Sequence, residues 1–229
     1  MSPKSSSSRG TFQEQVLDTL GRDICSGRIR PGQLLLPEPE LCARFGFSRI
    51  VIREAVKSLA AKGLLAVTRR VGTLVLEPTR WNLFDTDIIG WRAASAVADP
   101  VLQRDLMEMR RIIEPAAVRM AAVRASDEDR RNLRAAYMAM ARAVAGKGDY
   151  IKADLDFHNI ILSACGNQFV RQMQEAMSAL LRVNFEVITT KPGGPAHSLP
   201  LHEAVCEAIE RGDAAAAEKA VQILIDGAE

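Results

Sequence analysis

Between Ser48 and Pro78 the apolar pattern of this chain changes its period, and it does so nowhere else. The stretch "SRIVIREAVKSLAAKGLL" carries Ile52, Ala55, Val56 and Leu59 at helical spacing, with Ser48 as N-cap and Gly63 as a stop. The stretch "LLAVTRRVGTLVLEP" then alternates apolar and polar residues on either side of "RRVG" (Leu65 and Val67; Leu74 and Leu76). A helix running directly into a two-stranded hairpin with a basic tip leaves few folds open. Upstream, Val16, Leu17, Leu20 and Ile24 predict a helix from Phe12 to Cys25. Gly27, Pro31 and Gly32 break it, and a short helix over 38–45 turns Leu41, Cys42 and Phe45 inward. The order is helix, helix, turn, helix, hairpin.

That order is the one in which a helix-turn-helix module lays its second helix in the major groove of DNA, N-terminal residues first. Charge agrees. Residues 1–80 hold 13 Lys and Arg against 7 Asp and Glu, a net of +6, while the remaining residues carry a net of −4. Segregation of this kind points the first part at a polyanion. The groove helix opens with Ser48, Arg49 and Ile50, all three expected among the DNA-binding residues, and Arg53 follows one turn on. Arginine bonds bidentately to guanine and also to phosphate, so Arg49 and Arg53 are assigned to base or phosphate contact. Ser48 and the wing residues Arg69, Arg70, Gly72 and Thr73 are assigned to the DNA backbone. Taken singly, each of these is equally an ordinary solvated surface group; together they favour duplex DNA.

The segment 32–75 also resembles the winged helix-turn-helix of the GntR family of bacterial transcription regulators. Its residues follow the pattern L-P-S-E-R-x-L-A, then S-R-x-x-V-R-E-A-L-x-x-L-x-x-x-G-L, then G-x-G-T-x-V. Aligned on Glu38 and Leu41, Leu36 stands where the family has Pro, Pro37 where it has Ser, and Pro39 where it commonly has a DNA-contacting Arg. One base contact of the family is thereby removed. Val71 occupies a wing position that often carries Gly or a polar residue.

The rest of the chain is read as helical. "EPTRWNLFDTDIIGWRAASAVADP" is expected to be a connecting helix or ordered linker, since Trp81, Leu83, Phe84, Ile88, Ile89 and Trp91 are too apolar to stay wet. Helices are expected over 100–124, 127–146, 148–165, 167–190, 199–211 and from 213 onward. The fold class is therefore mainly α: three helices and a β-hairpin wing, followed by a bundle of six to seven helices. The expected divisions are a disordered tail at 1–10, a DNA-binding domain at 11–78, a linker at 79–99 and an effector-binding and dimerisation domain at 100–229. Four scattered cysteines, no C-x-x-C pair and no apolar run of membrane-spanning length read as a cytoplasmic protein.

Three residues of the bundle are chemically out of place. Asp154 and His158, at i and i+4, lie on the apolar face formed by Ile151, Leu155, Ile161, Leu162 and Cys165. His202 shares a stripe with Val205, Cys206 and Ile209, whereas His197, in a Gly/Pro-rich loop, reads as exposed. An inward carboxylate is costly without compensation. A divalent metal (zinc, nickel or manganese) shared by the three would supply it. The alternative, favoured on spacing alone, is a buried Asp–His pair with His202 hydrogen-bonded separately.

"EMRRIIEPAAVRMAAVRA", "ADLDFHNIILSACGNQF" and "LHEAVCEAIERGDAAAAEKAV" resemble the FCD domain, the helical effector domain of the FadR subgroup of these regulators. The resemblance implies a metal held by an Asp-x-x-x-His pair and two further histidines, matched by Asp154, His158 and His202. The fourth position falls on Leu224, so the implied site has three protein ligands and is open to water or to an effector's own oxygens. It also implies Arg110, inward before "E-P", as the partner of an effector carboxylate, with Arg182 a second candidate, although the phase of Arg182 matches surface Arg171 and Glu175. "RWNLFDTDIIGWR" resembles the linker of the galactonate-operon repressor branch and implies a sugar acid, a hexonate or its 2-keto-3-deoxy derivative. The resulting expectation is a homodimeric repressor released from double-stranded operator DNA by a small carboxylate. The competing expectations are a metal-dependent hydrolase or lyase built on the Asp154/His158/His202 centre, and a dimerisation bundle without ligand.

Overall fold

The computed structural model describes residues 11–95, 100–188 and 194–227. The chain divides into two compact units, Met1–Val97 and Ala98–Glu229. The tail expected at 1–10 lies outside the described residues.

In the first unit α1 (Phe12–Cys25) starts at a reciprocal cap, in which Thr11 accepts from the Glu14 N–H while the Glu14 carboxylate accepts from the Thr11 N–H. α2 (Glu38–Phe45) ends on Gly46 in the left-handed region at φ +71°, which a residue without Cβ adopts freely. α3 (Arg49–Ala61) is capped by Ser48, whose hydroxyl accepts from the Val51 N–H. The strands β1 (Leu65–Thr68) and β2 (Gly72–Val75) pair antiparallel in the register Leu65 to Val75 and Thr68 to Gly72. Val16, Leu20, Ile24, Leu41, Ile52, Ala55, Leu59 and Val75 close one apolar core between them.

One feature of this unit was not expected, and a second gives the linker its place. Residues 32–35, read as a break, run beside β2: Leu35 N–H donates to the Thr73 carbonyl at 2.7 Å and Val75 N–H to the Gln33 carbonyl at 2.9 Å. The segment thus covers one edge of the hairpin. The stretch expected as a connecting helix or ordered linker does form a helix, and it packs onto α1. Its helix α4 (Thr86–Ser95) buries Ile88, Ile89 and Trp91, and the Trp91 indole N–H donates to Asp18 at 2.8 Å. Gly21 is what lets the indole in, because a Cβ there would stand 2.5 Å from the ring. Trp81 is buried, but Leu83 and Phe84 are 43% and 49% exposed, so those two do stay wet. The tie to α3 is ionic instead: Lys62, at its C-cap, reaches both Asp85 and Asp87.

The second unit contains α5 (Pro100–Arg124), α6 (Asp127–Val144), α7 (Tyr150–Ala164), α8 (Gln168–Gln172), α9 (Gln174–Ile188), α10 (Gly194–Glu210) and α11 (Ala214–Asp226). The helix expected over 167–190 is broken at Met173, whose N–H bonds three residues back to the Val170 carbonyl. The helix expected from 199 starts earlier and takes Pro200 inside it, so His197 lies in its exposed first turn rather than in a loop. α7 packs against α5, α6, α8 and α9, and Ala153, Asp154, Leu155, Phe157, His158, Ile161, Leu162 and Ala164 are all buried. On this buried face Asp154 and His158 have no route to water, whereas Lys152 and Asp156 on the opposite side are exposed. No helix among the described residues is long and apolar enough to cross a membrane.

Candidate nucleic-acid interface and buried ligand centre

α3 keeps Ile52, Ala55 and Leu59 inward and presents Arg49, Arg53 and Lys57 on its outer edge. Ser48, Arg49, Ile50 and Arg53 are all exposed. The two arginines share one partner on α2: Arg53 Nε donates to Glu38 Oε2 at 2.6 Å, and Arg49 Nε stands 3.7 Å from Glu38 Oε1. Glu38 raises the Arg53 guanidinium above its ordinary range. Arg49 and Arg53 nonetheless retain 69% and 62% of their side-chain exposure. They are aimed rather than hidden.

At the hairpin tip Arg69, Arg70 and Gly72 are exposed, while Thr73 is half-buried with its carbonyl taken by Leu35. Arg70 has φ +68°, the one non-glycine residue at positive φ among those described. It stands at the first Gly of the family pattern G-x-G-T-x-V, and a side chain there costs energy that glycine avoids. A cleft of about 600 Å³ opens between α3 and the hairpin, its lining including Leu36, Arg53, Lys57, Val67 and Val71.

The second unit brings Asp154, His158 and His202 together; one ligand atom from each lies within 4.8 Å of the others, and all three residues are buried. His202 Nε2 is 3.0 Å and His158 Nε2 3.4 Å from the same oxygen, Asp154 Oδ1. The other nitrogen of His202, Nδ1, lies 2.9 Å from the Ser198 carbonyl. A carbonyl only accepts, so Nδ1 donates to it and Nε2 is the nitrogen turned to the carboxylate oxygen. Neither Asp154 Oδ1 nor His202 Nε2 has a hydrogen-bond partner. A carboxylate oxygen and an imidazole nitrogen 3.0 Å apart in a buried site are bridged by a proton or a cation. The donor set, one carboxylate and two imidazoles, suits a borderline divalent ion.

Glu114 on α5 joins the centre from the far side of His158, with Oε2 3.3 Å from His158 Nδ1. Nothing in the sequence reading singled it out, although it is one turn beyond Arg110 on an inward stripe. Arg110 is 1% exposed, and its Nε donates to Glu114 Oε1 at 2.7 Å. Burial alone would push the Glu114 carboxyl up, but Arg110 and His158 overcome it and hold the group at about 2. Burial likewise pulls the His158 imidazole down, and Glu114 and Asp154 raise it to about 9. Asp154 is held well below the usual carboxylate range by His202 and His158, against its burial. Tyr150 closes one end: burial and the Asp154 charge push its phenol up, and its hydroxyl meets Ser198 Oγ at 2.7 Å. A small cavity touches the centre, lined by Glu114, His158, Ile161, Leu162, Leu181 and Val221. Arg182 is not brought there; it is exposed on α9, while its neighbour Leu181 takes the inward phase. Leu224 is a buried core residue of α11.

Comparison with known proteins agrees with both halves. Residues 12–75 match the pattern of the bacterial regulatory proteins of the gntR family, and residues 105–227 match the FCD domain. The galactonate operon transcriptional repressor of Escherichia coli K12 is 34% identical over 215 residues, covering 93% of each chain. The HTH-type transcriptional regulator YieP of the same organism is 31% identical, over 92% of this chain and 90% of its own. Among solved structures, Lar, which controls expression of the agr system of Listeria monocytogenes, aligns with a TM-score of 0.66 at 20% identity. That alignment covers 96% of this chain and 95% of the other, and it speaks to the fold. These relatives are regulators of transcription and not enzymes, so the hydrolase or lyase alternative falls. The protein is a DNA-binding transcription regulator and belongs to the GntR family, with an FCD domain as its second part.

Proposed function

We propose that the protein represses an operon for the catabolism of a sugar acid in the bacterial cytoplasm and leaves its operator when a small carboxylate, a hexonate or a derivative of one, binds the FCD domain. A homodimer places one α3 helix on each half of a near-palindromic operator. Arg49 and Arg53 reach base edges or phosphates, and Ser48, Arg69, Arg70, Gly72 and Thr73 meet the backbone. Ser48 can do so while it caps α3, because its hydroxyl accepts from Val51 and keeps a proton to donate.

The sensing half of this reading is carried by one observation: His202 Nε2 and Asp154 Oδ1, buried and without hydrogen-bond partners, face each other at 3.0 Å. Asp154, His158 and His202 are the residues that would hold a divalent ion. When bound, such an ion supplies Lewis-acid attraction for the oxygens of a hydroxy acid. With Leu224 at the family's fourth position, the protein offers three ligands, and an effector's carboxylate and hydroxyl have a place to complete the set. Arg110 is the counter-charge for the effector, linked to this centre through Glu114, its resting partner. The similarity to a galactonate operon repressor favours a hexonate. Effector bound to one arrangement of the dimer more tightly than another shifts the population away from the DNA-binding one.

The test is operator binding with galactonate, gluconate and their 2-keto-3-deoxy derivatives, alongside the metal content of protein purified without chelator. The reading expects about one zinc, nickel or manganese per chain and at least one acid that lowers operator affinity. Protein that carries no metal and ignores every acid is instead a regulator with an unliganded dimerisation bundle.

A further inference from the structure

Ile50 is 74% exposed, although it lies in the first turn of the helix that carries Arg49 and Arg53. A single exposed apolar residue needs no explanation. Three circumstances set this one apart. It is three residues before Arg53, so the two side chains are neighbours on the helix surface. Arg53 is steered by Glu38 through its Nε, yet its side chain keeps 62% of its exposure. Exposed apolar side chains also line the cleft that holds Arg53 and Lys57, with Leu36 at 43% and Val71 at 61%. An apolar knob beside a cationic fork, on a surface rimmed with positive charge, is not complementary to water. It is complementary to the major groove, where the guanine edge offers two acceptors and thymine offers its 5-methyl group.

We infer that Ile50 is a specificity-determining residue that packs on the 5-methyl of a thymine, placed within one or two base pairs of the guanine that Arg53 reads. This rests on the reading of α3 as the groove helix and adds to it the identity of a base. The methyl is the one apolar feature that separates thymine from cytosine on the major-groove edge, and a β-branched side chain fixed on a helix meets it with little entropy left to lose.

The experiment uses the full chain. Binding sites are first selected from a random duplex pool. Each thymine of the selected half-site is then replaced by deoxyuridine, which deletes the methyl and leaves base pairing intact. The expected result is one position per half-site at which the replacement weakens wild-type binding about fivefold or more. Ile50→Ala should bind the thymine and deoxyuridine duplexes alike there, with about the affinity of wild type for the deoxyuridine duplex. Circular dichroism checks that the variant is folded, as expected for alanine in an exposed first turn. Absence of any sensitive position overturns the inference, and so does an Ile50→Ala variant that keeps the wild-type penalty. A chain that dimerises in the analytical ultracentrifuge only while Ile50 is present would assign the side chain to a protein contact and also overturn it. A pool from which no sequence is enriched fails differently: it removes sequence-specific DNA reading by α3 altogether.

Discussion

Arg53 Nε lies 2.6 Å from Glu38 Oε2, and the same carboxylate stands 3.7 Å from Arg49 through its other oxygen. One acid on α2 thus organises both arginines of α3 before any DNA arrives. Preorganisation of this kind sharpens discrimination more than it adds affinity, because the acid also repels phosphate. Glu38→Ala should lower affinity for the selected operator while raising affinity for scrambled duplex, so the specificity ratio falls from both ends. Arg53→Ala should cost about tenfold or more on the operator alone. Arg69→Ala should weaken all duplexes alike and reduce the salt slope by about one. Fluorescence anisotropy on both duplexes across a salt series separates these; an unchanged ratio in Glu38→Ala would show that the carboxylate positions nothing.

The 3.0 Å approach of His202 Nε2 to Asp154 Oδ1, both buried and without a hydrogen-bond partner, predicts that divalent metal stabilises the second unit. An ion that binds only the native state adds about 2.7 kcal/mol at a hundredfold excess over Kd. Zinc, nickel or manganese titrated into chelator-treated protein should raise its melting temperature. Asp154→Asn and His202→Ala should each abolish most of that rise. A rise equal to wild type in both variants would place the metal elsewhere.

Arg110 and Glu114 form a buried pair at 2.7 Å, with side chains 1% and 4% exposed. Removing one partner strands the other charge without water. Arg110→Ala should therefore destabilise the second unit by about 3–5 kcal/mol, whereas Arg110→Met with Glu114→Leu should recover much of the loss. Urea denaturation of the three proteins measures this. If the double variant folds well yet no longer responds to any acid that releases wild type, the pair serves effector recognition as well as stability.

Arg70 holds a backbone conformation that glycine adopts without cost. Arg70→Gly should relax the hairpin tip and stabilise the first unit by about 1 kcal/mol, yet weaken DNA binding by loss of a phosphate contact. A rise in melting temperature together with a lower affinity is the expected pair of results. Tighter binding by the variant would mean the arginine is a steric liability at the wing.

Much of the first unit was legible because local signals there are dense. Ser48 caps, Gly46 and Gly63 stop, and the period switches from helical to alternating within twenty residues, each device acting through its nearest neighbours. Residues 32–35 escaped because a strand at a hairpin edge needs a partner, and the backbone groups of Gln33 and Leu35 find theirs about forty residues away. The break at Met173 escaped too, since its local sequence continues the helical apolar pattern. Pro200 misled in the opposite sense, as a helix packed on neighbours tolerates what an isolated one would not.

By itself the sequence determined which faces of the helices must be buried, and with them that Asp154, His158 and His202 would turn inward, because side-chain phase on a helix follows from spacing alone. Only the tertiary structure decided what they meet. The approach of α5, α7 and α10 brings Glu114 to His158 and both imidazoles to a single oxygen of Asp154. Such convergence depends on how three helices from distant parts of the chain pack, and packing is a property of shapes rather than of periods.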